Sequence, residues 1–229
     1  MSSQEEKIKV LKLWVSPYAN RVLMALEELG VEYDTQEEDL NNKSPELLQA
    51  NPIYKTVPTI IHNGKPLSES LIILEYIHDT YSSFSTLLPT DPYEKAIARF
   101  WADFIDNKFW MAGYTVIVTD GESQEVAKKE FIDSFLLIEE AIPKISGGKP
   151  YFGGDKFGYL DIVLVPYVFL WHSVEIFGEF SIPLEKCPHL SAWIELVSKR
   201  ESVVKILPTV EAAHEWFTRS RKKALSRSN

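Results

Sequence analysis

The sequence predicts an α/β domain of element order βαβ-α-ββα followed by an all-helical domain. Three observations carry this expectation. Strand-like apolar runs alternate with runs of helical periodicity up to about Tyr81. Asn63-Gly64 separates two short apolar runs, which is a strong two-residue hairpin signal. Beyond a polar, proline-bearing stretch at residues 82–92, no strand-like alternation recurs.

Residues 8–14 form the first strand, apolar apart from two lysines. Pro17 suits a first helical turn; Val22, Ala25, Leu26 and Leu29 share one helical face, and Gly30 stops the helix. Residues 31–35 alternate as a second strand, which after a crossover of this length pairs in parallel with the first. Ser44 caps a short helix opened by Pro45. Residues 57–62 and 65–67 flank the Asn63-Gly64 turn as antiparallel strands. Ser68-Glu69-Ser70 starts a third helix with capping hydroxyls and an early acid.

The expected boundaries are 1–82 for the α/β domain, 83–91 for a linker and 92–229 for the helical domain. In the last of these, Ile97, Phe100, Trp101, Phe104 and Ile105 follow a helical template, as do Phe131, Phe135, Ile138 and Ile142. Gly158 and Asp161, flanked by Phe157 and Ile162, read as a capping box with a hydrophobic staple. Residues 162–171 are apolar almost all round, the mark of a central buried helix. Pro188 and Pro208 punctuate two further helices, the last carrying Trp216 and Phe217.

Thirty-three acidic against 24 basic side chains give a net charge of -9, the wrong sign for a phosphate backbone, so nucleic acid is not an expected partner. The basic run Arg219, Arg221, Lys222, Lys223 and Arg227 reads as a solvated tail before it reads as a polyanion contact. The single cysteine, Cys187, excludes an intramolecular disulfide and fits a reducing compartment. Residues 1–7 lack an apolar leader core, and the charge-free stretch 162–174 is shorter than the roughly 20 residues of a membrane span. A cytoplasmic protein with no membrane partner is expected. The histidines, His62, His78, His172, His189 and His214, show no paired ligand spacing, so no metal is assigned. The glycine-rich loop 147–154 lacks the Gly-Lys-Ser/Thr ending of a phosphate cradle.

The most informative junction is Trp14-Val15-Ser16-Pro17-Tyr18-Ala19-Asn20-Arg21, where an apolar run meets a helix start. The N–H groups and dipole of such a start attract an anion. On the residues alone two readings stay open: Ser16 caps the helix, or it donates a hydrogen bond to a bound anion. Arg21, one turn in, reads as a solvated helix residue. Glu69 and Ser70 read as a cap, and Lys43 and Lys55 as surface charges.

The motifs Ser16-Pro17-Tyr18 with Arg21-Val22, Asn42-Lys43-Ser44-Pro45, residues 51–58, residues 62–66, Glu69-Ser70, Leu88-Pro89, Phe100-Trp101-Ala102-Asp103 and residues 151–155 stand in one order along the chain. Together they resemble the plant tau class of cytosolic glutathione transferases, from about Val10 to Lys222; each motif alone is weak. The resemblance implies a thioredoxin-like N-terminal domain, a helical C-terminal domain and a homodimer. It also implies an enzyme that joins reduced glutathione to apolar electrophiles, a detoxification chemistry, with a glutathione peroxidase side activity. Glutathione is then a co-substrate, and no cofactor is required.

Conjugation needs the thiolate, and lowering a thiol pKa of about 8.5 by two units takes roughly 2.7 kcal/mol of preferential anion stabilisation. A hydroxyl donor plus a helix N-terminus is of that size. The resemblance assigns Ser16 as that donor. It implies that a cis Val57-Pro58 bond presents the Val57 backbone to the cysteinyl unit, and that Glu69 and Ser70 hold the γ-glutamyl end. Lys43 and Lys55 would face the glycine carboxylate. Thr56 stands where the class commonly has another basic residue, which leaves those two lysines. Tyr18, Trp110, Tyr114, Ile117, Leu170, Trp171, Trp216 and Phe217 are the candidates for an electrophile pocket expected between the domains; each also reads as core packing. Two other readings stand on the same fold: a non-catalytic carrier of apolar metabolites, suggested by the aromatic-rich C-terminal half, and a thiol transferase or dehydroascorbate reductase. The second needs a cysteine where Ser16 stands.

Overall fold

The computed structural model describes residues 7–81 and 87–228. Residues 1–6, 82–86 and 229, and the side chains of Arg227 and Ser228, lie outside the described residues, and with them part of the expected linker and basic tail. The chain divides into two compact units, residues 1–87 and 88–229.

The first unit runs β1 (Ile8–Lys12), α1 (Pro17–Leu29), β2 (Tyr33–Glu37), α2 (Pro45–Ala50), β3 (Thr59–His62), β4 (Lys65–Ser68) and α3 (Ser70–Tyr81). Its sheet has the order β2-β1-β3-β4, with β1 parallel to β2 and both remaining pairs antiparallel. Val22, Met24, Ala25 and Leu26 of α1 and Ile73, Leu74 and Ile77 of α3 are fully buried, as the helical spacing requires. Asn63 and Gly64 take φ values of 53° and 73°, the left-handed pair that a two-residue hairpin demands.

Register places the site. Lys12 pairs with Glu37, Leu11 with Thr59, and Thr59 with Ser68. The ends of β1, β2 and β4 and the start of β3 therefore share one end of the sheet. Residues 13–16, 38–44, 55–58 and 69–70 all leave or enter there. Leu11, Leu47 and Val57 form a buried cluster beneath that end.

Two local expectations are corrected. The second strand starts at Tyr33, two residues late, because α1 ends in a left-handed Gly30 whose turn ties the Val31 N–H to the Leu26 carbonyl at 3.0 Å. The hydroxyls at the start of α3 are not caps: Ser68 pairs with Thr59 at 3.2 Å, and Ser70 accepts from Arg21 at 3.3 Å.

The second unit is helical: α4 (Pro92–Phe104), a π-helical turn (Ile105–Trp110), α5 (Met111–Val118), α6 (Gly121–Ser146), α7 (Tyr159–Gly178), α8 (Pro188–Val197), α9 (Glu201–Ile206) and α10 (Val210–Ser228). Three helices, rather than the expected two, follow Cys187, because Arg200 starts a short one between the prolines. Helix α7 is long and apolar enough to cross a membrane, yet 72% of its apolar window is buried inside this unit. It is the core helix the sequence predicts. Only half of its capping box exists: Asp161 accepts the Gly158 N–H at 2.9 Å, but the glycine has no side chain to reciprocate. Asp161 spends its other oxygen on the Phe152 N–H at 3.1 Å and the Trp193 indole N–H at 2.7 Å.

Candidate active site

Ser16 is the N-cap of α1, with extended backbone and a nearly buried side chain. Its Oγ accepts the Ala19 N–H at 3.3 Å. Among the described residues the hydroxyl proton meets no acceptor. The two readings of Ser16 are therefore compatible: a lone pair caps the helix, while the proton is left for an acceptor at its positive end.

Arg21 corrects the sequence reading outright. It is fully buried, its Nη1 donates to Ser70 Oγ at 3.3 Å, and its guanidinium lies 5.3 Å from the centre of the half-buried Tyr18 ring. The charge in the first turns of α1 thus holds the first residue of α3. Beside Ser70, Glu69 is exposed, its carbonyl accepts the Ile73 N–H at 2.8 Å, its carboxylate has no partner among the described residues, and it adopts φ 73°. A left-handed glutamate is uncommon, and such backbone tends to sit at functional positions.

The Val57–Pro58 bond is cis. Both residues are buried, and the Val57 N–H and C=O pair with no other described group. The preceding loop is held by Asn51, whose amide donates to the Thr56 carbonyl at 3.2 Å and whose oxygen accepts the Tyr54 N–H at 3.1 Å. Thr59 donates to the same carbonyl at 3.0 Å. On this rigid loop Lys55 is exposed, at φ 57°. Across the sheet end, Lys43 sits half-buried in the loop after β2. Among the described residues neither lysine has an acid partner.

The helical candidates fall into two groups. Trp110 stacks on Tyr167 at 4.7 Å and lies 6.2 Å from Tyr114 and 6.4 Å from Phe217, which in turn meets Trp216 at 5.0 Å. Tyr114 is 41% exposed and Trp216 half-buried, so these two reach the surface, whereas Trp110 and Phe217 are buried behind them. Trp171 instead packs on Phe135 at 4.7 Å and Phe109 at 6.0 Å, and Ile117 and Leu170 are fully buried. Sequence reasoning missed Tyr167. Its hydroxyl donates to Asp106 in the π-helical turn at 2.9 Å, which fixes the face on which Trp110 stacks.

Cys187 is buried; desolvation and the charges of Glu139 and Glu185 push its thiol up, the opposite of a reactive thiolate. Among the described residues no group of three His, Cys, Asp or Glu side chains could hold a metal ion.

Residues 6–79 match the family model described as the glutathione S-transferase N-terminal domain, and residues 122–196 match that of the C-terminal domain. Glutathione S-transferase U19 of Arabidopsis thaliana is 46% identical over 217 residues, spanning 95% of this chain and 97% of its own. The chain belongs to the glutathione S-transferase family. Its solved neighbours within that family include a tau-class enzyme. The mango tau-class glutathione S-transferase superposes with a TM-score of 0.88 at 37% identity, over 93% of this chain and 98% of its own. Rice GST1, solved in complex with glutathione, gives 0.89 at 36% identity over 96% and 99%. As a glutathione S-transferase the chain is a transferase with glutathione as its co-substrate. The thioredoxin-like and helical domains of the family are the two units described above.

Proposed function

We propose that this transferase joins reduced glutathione to apolar electrophiles, with the Ser16 hydroxyl holding the thiolate. The observation that carries the reading is the division of labour at Ser16: Oγ accepts from Ala19, and the proton remains for the sulfur. Lys43 and Lys55 face the glycine carboxylate, the Val57-Pro58 backbone receives the cysteinyl unit as an added strand would, and Glu69 and Ser70 hold the γ-glutamyl ammonium and carboxylate. Tyr18, Trp110, Tyr114, Trp216 and Phe217 meet the electrophile, and Ile117, Leu170 and Trp171 shape the packing behind them. The same thiolate reduces an organic hydroperoxide to alcohol and water while two glutathiones become the disulfide.

Turnover of a chlorinated nitrobenzene tests the role of Ser16. Loss of one hydrogen bond to a charged group predicts a fall in kcat of about 10- to 100-fold in Ser16→Ala, with the pKa of bound glutathione raised toward that of the free thiol. Full activity in that variant would remove Ser16 from the mechanism.

The enzyme also acts as a homodimer in the cytoplasm. Ile53 and Tyr54 of the first unit are 80% and 63% exposed, and Tyr93 and Phe100 of the second 74% and 60%, apolar side chains that a second copy would cover. Sedimentation equilibrium should return twice the 26.2 kDa chain mass.

A further inference from the structure

We propose that Glu38 is a positioning residue for glutathione, fixing the loop that presents Lys43 to the glycine carboxylate. The inference rests on the role assigned to Lys43 above. Glu38 follows β2, is 3% exposed, and has its backbone N–H tied to the Lys12 carbonyl at 2.8 Å. Its carboxylate reaches across five residues to the far end of the loop. There it accepts the Ser44 N–H at 3.1 Å and the Ser44 hydroxyl at 2.7 Å, and it also takes the Gln36 amide at 2.8 Å. Ser44 in turn caps α2 through the Leu47 N–H at 3.0 Å. Within the loop, Asp39 accepts the Asn41 N–H on its side chain at 2.8 Å and the Asn42 N–H on its carbonyl at 2.9 Å.

One buried carboxylate therefore pins both ends of a loop whose last residue is Lys43. Burial raises the Glu38 carboxyl, but the bonds from Ser44 and Gln36 and the charge of Lys9 outweigh it, so the group is held ionised. A buried carboxylate is a costly way to tie a loop unless the loop must stand still. What must stand still here is a lysine with a half-buried stem and no acid partner among the described residues. An ordered cation loses less freedom on meeting a carboxylate than one on a mobile loop.

The test compares two thiols within each preparation: glutathione, and glutathione amide, whose glycine carboxylate is a neutral carboxamide. Taking the ratio of their KM values cancels any loss of folded protein. Lys43→Met should cut the preference for glutathione by about three-fold, the size of one partly exposed ion pair. Glu38→Gln should cut it by a similar factor with kcat little moved, and the double variant should lose no more than Lys43→Met alone. Should Glu38→Gln fold poorly, Ser44→Ala breaks the same tie and takes the same readout. If Lys43→Met lowers the ratio while Glu38→Gln and Ser44→Ala keep it at the wild-type value, Glu38 is structural only and the inference is overturned. If Lys43→Met itself leaves the ratio unchanged, the role of Lys43 falls, and the inference falls with it.

Discussion

The Arg21 guanidinium donates to the Ser70 hydroxyl at 3.3 Å from a position with no solvent exposure, joining α1 to the first residue of α3. In the proposed site Ser16 holds the central cysteinyl sulfur and Ser70 the γ-glutamyl end of glutathione, so one buried cation sets the spacing between two binding groups. Arg21→Met keeps much of the stem volume and removes the donor. Losing a buried hydrogen bond from a charged donor costs about 2 kcal/mol. The variant should unfold at correspondingly lower urea, and at a temperature where it is folded its KM for glutathione should rise. A normal KM in the folded variant would show that Ser70 needs no such support.

Glu69 gives two predictions of opposite sign. At φ 73° its backbone suits glycine, and a left-handed residue with a side chain costs about 1 kcal/mol. Glu69→Gly should hold or raise stability by up to about that amount, less the chain entropy glycine loses on folding. The same change deletes the carboxylate offered to the γ-glutamyl ammonium, so KM for glutathione should rise several-fold. Thermal unfolding and steady-state kinetics on one preparation read both. A loss of stability together with an unchanged KM would contradict the two assignments at once.

How far these features could be read from the residues depended on how local their causes are. The cap at Ser16, the stop at Gly30, the Asn63-Gly64 hairpin and the burial of α7 follow from neighbours within one or two turns, and the structure reproduces them. Arg21 defeats that approach because its partner is 49 residues away, and an arginine on a helix carries no mark of burial. Tyr167 is the same case: its stack on Trp110 is fixed by Asp106, 61 positions distant in sequence. The start of β2 differs from the sequence expectation for a local reason, since the turn after Gly30 consumes the Val31 N–H that a strand would use. The electrophile candidates came from the family resemblance, which could not divide Trp171, edge-on in the Phe109 and Phe135 cluster, from Tyr114 at the surface.

That division is itself testable. Tyr114 is exposed on α5 and meets Trp110, whereas Trp171 is buried. Tyr114→Ala should leave unfolding nearly unchanged and raise KM for a bulky aromatic electrophile without moving KM for glutathione. Trp171→Ala should cost about 3–5 kcal/mol of stability, as core aromatic truncations do. Reversed results, with Tyr114 governing stability and Trp171 governing only the electrophile, would exchange their roles.

Asp161 anchors the start of α7 with N–H groups of Trp193, Gly158, Phe152 and Gly153, and burial nevertheless pushes its carboxyl up to about 6 from an ordinary value of 3.8. Because the folded value lies above the unfolded one, the folded state binds the proton more tightly. Its contribution to stability is then fully present below about pH 4 and is lost as the pH rises through about 6. Two units correspond to about 3 kcal/mol at most. Other carboxylates obscure this in the wild type alone, so the comparison is with Asp161→Asn, in which position 161 cannot titrate. Between about pH 4 and pH 6 the unfolding free energy of the wild type should fall relative to that of the variant by up to that amount. Urea titrations of both proteins across the range measure the difference directly. A difference that moved the other way would mean that Trp193, Gly158 and Phe152 stabilise the anion more than burial penalises it, and that the start of α7 is held by a charge at every pH in the range.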